Sequence, residues 1–540
     1  MYRLIPIFLL FSVVSSLANN DELYYSIYNN LNKFGRVYEK INNDYVGRVK
    51  PDSLIKESIV GMLSSLDPYT RYEELTKSNK SNYLSTGYYI GYGFYLDKMK
   101  SGNTIIKLVD NSPAKQSGMR IGDLLLSIDS IDVRYKSQTK LSKILDKEKG
   151  SVSLFKFLRP GLNDTLEVSI TNTEIPIKDI PFYRILNDST AYIKLDQFSF
   201  KADFAFRKAM RELEYQNSFN NLIIDLRDNP GGVMQAALKI LELFVEENTL
   251  LLTTRGKSNS DVNEYFSRSK PLYPDLKIAV LINDGSASAS EIIAGAIQDT
   301  DRGVVIGKKS FGKGLVQHSI NLDDDSKINI TVAKYYTPSG RSIQKLDYNI
   351  SDNKYDIDRE KVGGFKTING RNVNTHDGIS PDVYIKDTNN TEIINNLIKR
   401  DFIFNFAVEY VSRYENFSDS ILLDETKFDE FLSFIDSDKR IYELEPLNII
   451  SKLENNKYRK LQSDLTKENI LLLENSIKND IKKSLNQNKD DIISLINDVV
   501  IYIMKGREYS FFKDITNDIY ISKATETLNT NYYKVLKYTD

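Results

Sequence analysis

Ser286, Ser288 and Ser290 stand at alternate positions in NDGSASASEI, where an apolar run gives way to a helical pattern. A serine at a helix start has unpaired backbone N–H groups beside it, and the helix dipole favours a developing negative charge there. One of the three could act as a nucleophile, with the N–H of the following residue donating to an oxyanion. Ala287 and Ala289 leave room for a substrate. A serine hydroxyl needs a base, and the chain holds two histidines and no cysteine in 540 residues. His318 lies in a strand-like run and His376 in a polar stretch, and both read as incidental.

Lysine is the alternative base. In GKKSFGKGLVQ, Lys313 lies between Gly312 and Gly314 and precedes the apolar pair Leu315 and Val316. A free lysine titrates at about 10.4 and must fall to roughly 7–8 to accept a proton near neutrality. That shift is worth about 4 kcal/mol of differential solvation, which burial in a water-poor site can supply. Gln317 could hold the amine through its carbonyl oxygen without adding charge. A second turn, DLRDNPGG from Asp225 to Gly232, carries glycines that let backbone N–H groups approach a ligand closely.

These turns need elements to position them. LIIDLR and KIAVLIN are near-continuous apolar runs, each followed by a glycine-bearing turn and a helical pattern, VMQAALKILELF and SEIIAGAIQD. That is the rhythm of a sheet covered by helices, in which ligand sites lie beyond the C-terminal strand ends. Between Gly87 and Ile170 the texture is different: short strands, a helix capped by Ser112 with Pro113 in its first turn, a strand pair around Asp129 and Ser130, and a helix over TKLSKILDK. This predicts a small α+β module. Ile27, Leu31, Phe34, Tyr38, Ile41 and Tyr45 place one apolar stripe on an N-terminal helix, destined for core or interface. A second helix starts near Asp52 or Ser53 and stops before Asp67. Beyond Thr388 the pattern is helical and charged, the mark of an appendage for packing or association.

Composition bounds the function. A net charge of -2 provides no field for gripping nucleic acid. The absence of cysteine removes thiol catalysis, disulfides and thiolate metal sites, and two histidines argue against a His-rich metal centre. No metal or organic cofactor is implied. The opening residues combine Arg3, an apolar run from Leu4 to Val14 and the small-residue stretch SSLA ending at Ala18, the pattern of a secretory signal peptide. The mature chain is therefore expected to be exported to the periplasm or cell envelope, with no stable membrane span.

Five motifs in order, DLRDNPGG, GSASASEIIAGAIQD, GKKSFGKGLVQ, KYYTPSGRSIQ and GISPDV, resemble the C-terminal processing peptidases, or tail-specific proteases. LDPYTRY (Leu66–Tyr72) resembles the segment preceding the PDZ domain of that family, and GYGFYL with NSPAKQSGMRIGDLLLSID resembles the PDZ domain itself. The resemblance runs from about Tyr38 to Asp387. It implies a serine endopeptidase that cleaves proteins near their C-termini, with Ser288 as nucleophile, Lys313 as base at the family's spacing, and Gln317 supporting the lysine. Ala289 and either Gly231 or Gly232 would supply the oxyanion hole. Ser286 and Ser290 are read as helix-start caps. The PDZ loop Gly91, Tyr92, Gly93 and Phe94 would bind a substrate's nonpolar C-terminal tail as an added strand, gate the site, or both. The implied fold is an α/β protease core, a mixed sheet with covering helices, with an inserted PDZ-like α+β domain and helical terminal segments. Its divisions are 1–18 signal peptide, 19–83 N-terminal helices, 84–173 PDZ-like domain, 174–387 peptidase core and 388–540 helical extension. The expected partners are protein substrates with nonpolar tails, and an adaptor or a second copy. An inserted segment with GGFKTINGRNV, and the long tail, resemble versions from Bacteroidetes-type bacteria. The rival readings are a catalytically silent PDZ scaffold, a Ser-His enzyme using His318, and a carrier of apolar small molecules.

Overall fold

A computed structural model describes residues 5–75, 86–162, 164–187, 189–258, 260–345, 364–374, 377–386, 391–454, 463–506, 515 and 518–536. His376 lies outside the described residues. Helices α1 (Ile5–Asp44) and α2 (Pro51–Ser64) lead into a short strand, β1 (Arg71–Glu74). Pro51 opens α2 because its missing N–H and fixed φ suit a first helical turn. The stripe on α1 forms but is not buried in this chain: Leu31 is 65% exposed, and Ile27 and Phe34 are also on the surface.

The α+β module follows. Strand β2 (Tyr88–Gly91) and strand β3 (Phe94–Met99) break at Tyr92–Gly93, then β4 (Gly102–Leu108), α3 (Pro113–Gln116), β5 (Leu124–Ile128), β6 (Ile131–Asp132), α4 (Gln138–Leu145), β7 (Val152–Leu158), β8 (Thr165–Thr171) and β9 (Thr173–Pro176). The Ser112 side chain accepts from Lys115 N, as the cap reading requires. Its antiparallel sheet runs β3-β4-β5-β7-β8 with β6 on β5, which leaves β3 at an edge. β2 pairs antiparallel with β9, so entry and exit of the module form one ribbon.

The core comprises β10 (Phe182–Asn187), β11 (Thr190–Lys194), α5 (Ala202–Gln216), β12 (Asn221–Asp225), α6 (Met234–Leu241), β13 (Leu250–Arg255), β14 (Val262–Phe266), β15 (Lys277–Ile282), α7 (Ala289–Asp299), β16 (Val304–Gly307), β17 (Leu315–Asn321), β18 (Ser326–Tyr336), β19 (Phe365–Lys366), β20 (Asn372–Val373) and β21 (Val383–Tyr384). Its main sheet is ordered β10-β11-β12-β15-β16-β21, parallel except for the β10–β11 pair. A parallel sheet must be covered on both faces. Ile193, Leu222, Ile224, Ile278, Val280 and Val305 pack among α5, α6 and α7. The alternate residues Tyr192, Ile223, Ala279, Leu281, Val304 and Ile306 pack on the opposite face. A second sheet, ordered β1-β18-β13-β14 with β17 on the other side of β18, brings the N-terminal strand into the core.

The C-terminal part divides in two. Helices α8 (Glu392–Lys399), α9 (Phe402–Val411), α10 (Phe428–Asp436), α11 (Glu445–Glu454), α12 (Asp464–Gln487) and α13 (Lys489–Lys505) share a core around Phe406, Tyr410, Phe431 and Ile496. They also touch the module, where a Cβ on Gly122 would stand 2.3 Å from Val408 Cγ1. Helices α14 (Ile519–Glu526) and α15 (Tyr532–Leu536), with the π-helical turn Thr527–Asn531 that joins them, instead cover the second face of the main sheet through Ile521, Ala524, Leu528, Tyr532 and Leu536. The expected single appendage is thus an independent helical unit followed by a layer of the core. The GGFKTINGRNV hairpin is pinned by Arg371, which pairs with Asp301 at 2.6 Å and Asp382 at 2.5 Å. A cleft of about 940 Å³ separates module, linker and helical unit, and neither Ser288 nor Lys313 lines it.

Candidate active site

The turn between β15 and α7 presents Ser288 at φ 55° and ψ −113°. A non-glycine residue there carries strain of order 1–3 kcal/mol, which the surroundings must hold in place. Ser288 N donates to Glu291 Oε2 at 2.8 Å, and the Tyr335 hydroxyl donates to Ser288 O at 3.1 Å. Ser286 and Ser290 are not caps. Ser286 Oγ donates to Leu226 O at 2.8 Å and Ser290 Oγ to Asn229 O at 2.9 Å. An N-cap hydroxyl accepts from the first turn of its own helix; these two reach across to the neighbouring strand's turn and pin the serine loop to it.

That neighbouring turn holds Gly231 and Gly232, at φ 100° and 144°. Gly231 packs on the serine: a Cβ there would lie 2.8 Å from Ser288 Cβ and 2.9 Å from Ala289 N. Its own N–H is engaged by Asn229 Oδ1 at 2.9 Å. The chain on either side is stitched to Phe198, whose N–H donates to Gly231 O at 3.0 Å and whose carbonyl accepts from Val233 N at 2.7 Å. Among the described residues the N–H groups of Gly232 and Ala289 have no acceptor.

Lys313 enters from the loop before β17. Its main chain is tied to that of Ser288 by two buried side chains. Glu291 accepts from Ser288 N and Lys313 N through Oε2, and from Gly312 N at 2.7 Å and Ser310 Oγ at 2.6 Å through Oε1. The Tyr335 hydroxyl reaches both Ser288 O and Lys313 O. Burial pushes the Glu291 carboxyl above its usual range despite four donors. Nζ of Lys313 donates to Gln317 Oε1 at 3.3 Å, and the Ser288 hydroxyl is not its partner here. The Tyr69 ring covers the amine, with Nζ 4.7 Å from the ring centre. Burial, helped by the charge of Arg71, lowers the lysine's pKa, while Asp67 and Glu291 oppose the shift.

Sequence reasoning missed Glu291, Tyr335 and Tyr69. Glu291 was signalled by the S-x-x-E spacing from Ser288, a capping-box pattern ahead of an apolar run. Tyr335 and Tyr69 have no local signal, since their roles come from elements distant in sequence. At the end of β12, Asp225 is fully buried; burial alone would raise its pKa, but Lys194 and Arg227 hold it well below the usual carboxylate range. Arg227 also pairs with Asp518 at 2.7 Å, linking the glycine turn to the start of α14.

The other predicted residues lie elsewhere. His318 is exposed on β17. Gly91, Tyr92, Gly93 and Phe94 come together as the turn from β2 to β3, but the Tyr92 side chain is core: it is 4% exposed, and its hydroxyl lies 2.9 Å from Ser153 Oγ. The carbonyls of Tyr92 and Gly93 accept from Ala114 N and Val109 N. Gly93 needs φ 86°, and a Cβ there would meet Ser112 Cβ at 2.1 Å.

Three family models match this chain: "Peptidase family S41" over residues 189–352, "Activating protease CtpB N-terminal domain" over 12–76 and "Probable PDZ-protease, C-terminal helical domain" over 393–528. The carboxy-terminal-processing protease of Bartonella bacilliformis is 32% identical over 340 residues, covering 62% of this chain and 76% of that protein. The carboxy-terminal processing protease CtpB of Bacillus subtilis is 34% identical over 327 residues, 58% of this chain and 66% of its own length. The carboxyl-terminal-processing protease of Synechocystis is 34% identical over 297 residues, 54% of this chain and 68% of that one. With its serine turn and lysine loop set at one end of a mixed sheet, and a relative 32% identical matched over three quarters of its length, the chain belongs to the carboxy-terminal-processing proteases, a family of serine peptidases.

Proposed function

We propose that the chain is an endopeptidase that cleaves proteins near their C-termini through a Ser288–Lys313 dyad. The observation that carries this reading is the double clip: Glu291 and Tyr335 join the main chains of Ser288 and Lys313 on both sides. No packing requirement calls for a strained serine to be bound so closely to a lysine with a lowered pKa.

In the reaction, neutral Lys313 leaves or shares Gln317 and takes the proton from Ser288 as the hydroxyl attacks the scissile carbonyl. The N–H groups of Ala289 and Gly232 receive the oxyanion; Gly231 serves by packing, because its N–H is already engaged. Lys313 then protonates the leaving amine, and water hydrolyses the acyl-enzyme.

The PDZ-like module captures the substrate tail and gates the site. Among the described residues the N–H groups of Tyr92 and Gly93 lack acceptors, which suits a terminal carboxylate. Strand β3 offers a sheet edge, and Phe94 and Leu96 with Leu141 and Ile144 of α4 offer an apolar lining for a nonpolar tail. Its exit linker carries Asp179, which accepts from Ser199 Oγ at 2.6 Å beside Phe198, the residue stitched to the glycine turn. This path supports a module that senses the tail and steadies the oxyanion turn.

The chain is divided at 18, 83, 173 and 387, and is exported behind its signal peptide to the periplasm or envelope. No described helix is long and apolar enough to cross a membrane. The apolar face of α1 suits a second copy or an adaptor. The test is digestion of an unfolded protein with an apolar C-terminus. Wild type and His318→Ala cut it, and Ser288→Ala and Lys313→Ala do not; equal digestion by all four removes the dyad, and none by wild type favours the silent scaffold.

A further inference from the structure

One wall of the lysine's pocket belongs to neither the serine turn nor the lysine loop. It comes from the N-terminal segment Asp67–Arg71, far away in sequence and joined to the core through β1. The segment is locally folded: the Asp67 carboxylate accepts from Tyr69 N and Thr70 N, each at 2.8 Å, and from Thr70 Oγ1 at 2.7 Å. This turn is then anchored. Thr70 is buried, and its Oγ1 accepts from Thr331 N at 3.1 Å. Thr331 is the register partner of Gln317 across the β17–β18 ladder, and Gln317 is the residue that holds the lysine amine. Docking Thr70 on Thr331 therefore brings Tyr69 over Nζ, with the amine between an amide oxygen and an aromatic face.

We propose that Tyr69 is a positioning residue for the base: its ring shuts the lysine pocket against water and keeps the amine on Gln317's side, so that the docked N-terminal segment is a required wall of the active site. This rests on the reading of Lys313 as the base. A ring face accommodates both forms of the amine, since a cation gains from its quadrupole and a neutral amine loses little. Water offers no such balance, because it solvates the ammonium strongly and holds it charged. The charged groups that act on the amine are Asp67 and Arg71 from this segment and Glu291 from α7. Asp67 and Arg71 act in opposite senses, and Glu291 is held by donors that do not include Tyr69. The loss of the ring therefore isolates the effect of water.

The experiment measures turnover of a fluorescently labelled unfolded protein with an apolar C-terminus, from pH 6 to pH 10, using the full chain. Tyr69→Phe keeps the ring and stays within about threefold of wild type with the same profile. Tyr69→Ala loses about tenfold in kcat at neutral pH with KM nearly unchanged, and its rising limb moves up by about one unit, so that activity recovers in alkali. Thr70→Val, which removes the anchor and leaves the ring, shows the same upward displacement and serves if Tyr69→Ala fails to fold. An unmoved limb in both Tyr69→Ala and Thr70→Val, a loss carried by KM, or equal damage from Phe and Ala overturns the proposal. Lys313→Ala separates the two levels: if it is inactive while Tyr69→Ala behaves as wild type, only this inference falls, and if it is active the base assignment itself fails.

Discussion

At the scale of single residues the site depends on Glu291. Its carboxylate is the shared acceptor for the serine turn and the lysine loop. Glu291→Gln keeps the volume but turns an NH2 group toward N–H donors, and each buried donor left unpaired costs about 1–3 kcal/mol. The expected result is a lower melting temperature and a kcat reduced about tenfold or more, with little change in KM, because the damage falls on the geometry of the proposed dyad. A variant that melts earlier yet retains full kcat would show that the clip serves stability alone. Lys313 leads to a second prediction. Its folded pKa is lowered, chiefly by burial. Between the folded and unfolded values the unfolded chain binds more protons, so the lysine costs stability at neutral pH and the cost fades as pH rises through that window. Lys313→Met is therefore expected to be inactive yet to melt no earlier than wild type at pH 7, a trade of stability for function. The same protonation sets the activity profile: kcat/KM rises with pH and levels off above the folded pKa, which lies below the ordinary lysine range.

At the scale of elements, the glycine turn, the serine turn and the module's linker form one mechanical series. Gly231 is fixed by φ 100° and by closeness, since a Cβ would stand 2.7 Å from Ala287 O. Gly231→Ala must push the serine turn away, and it is expected to abolish turnover in a chain that still folds, as read by circular dichroism beside activity. The linker can be tested more gently. Asp179→Ala removes the acceptor of Ser199 Oγ and Ser199 N, loosening the Phe198 stitch without touching the module's groove. Binding of a fluorescent nonpolar tail peptide is expected to be retained while kcat falls several-fold; if both are kept, the linker is no conduit.

At the scale of the whole molecule, the last helices decide whether the core holds together. α14, α15 and the turn between them place Ile521, Leu528, Tyr532 and Leu536 on the second face of the main sheet. At about 1.5–3 kcal/mol for each large side chain, the four are worth about 6–12 kcal/mol, comparable with the whole stability of a typical domain. Truncation after residue 517 is therefore expected to give an aggregating or unfolded core, measured by solubility and hydrogen exchange across β12 and β15. Removal of α14 and α15 without loss of either would show that this face tolerates water.

Much of this was legible in the chain itself. The βα rhythm, the cap at Ser112, the module's strand and helix order, the helix start beside the three serines and the candidates Lys313 and Gln317 rest on local pattern, because periodicity, capping and turn chemistry act over a few residues, whereas the choice of Ser288 among the serines rests on the resemblance carried by the order of motifs. Other features were decided only by folding. That Ser286 and Ser290 pin a neighbouring turn, that Gly232 rather than Gly231 keeps an unengaged N–H, that Tyr69 covers a lysine far along the chain, and that the final helices roof the sheet all depend on which elements meet. Such meetings are set by the packing of distant apolar faces and by hydrogen bonds between loops, which no window of sequence contains.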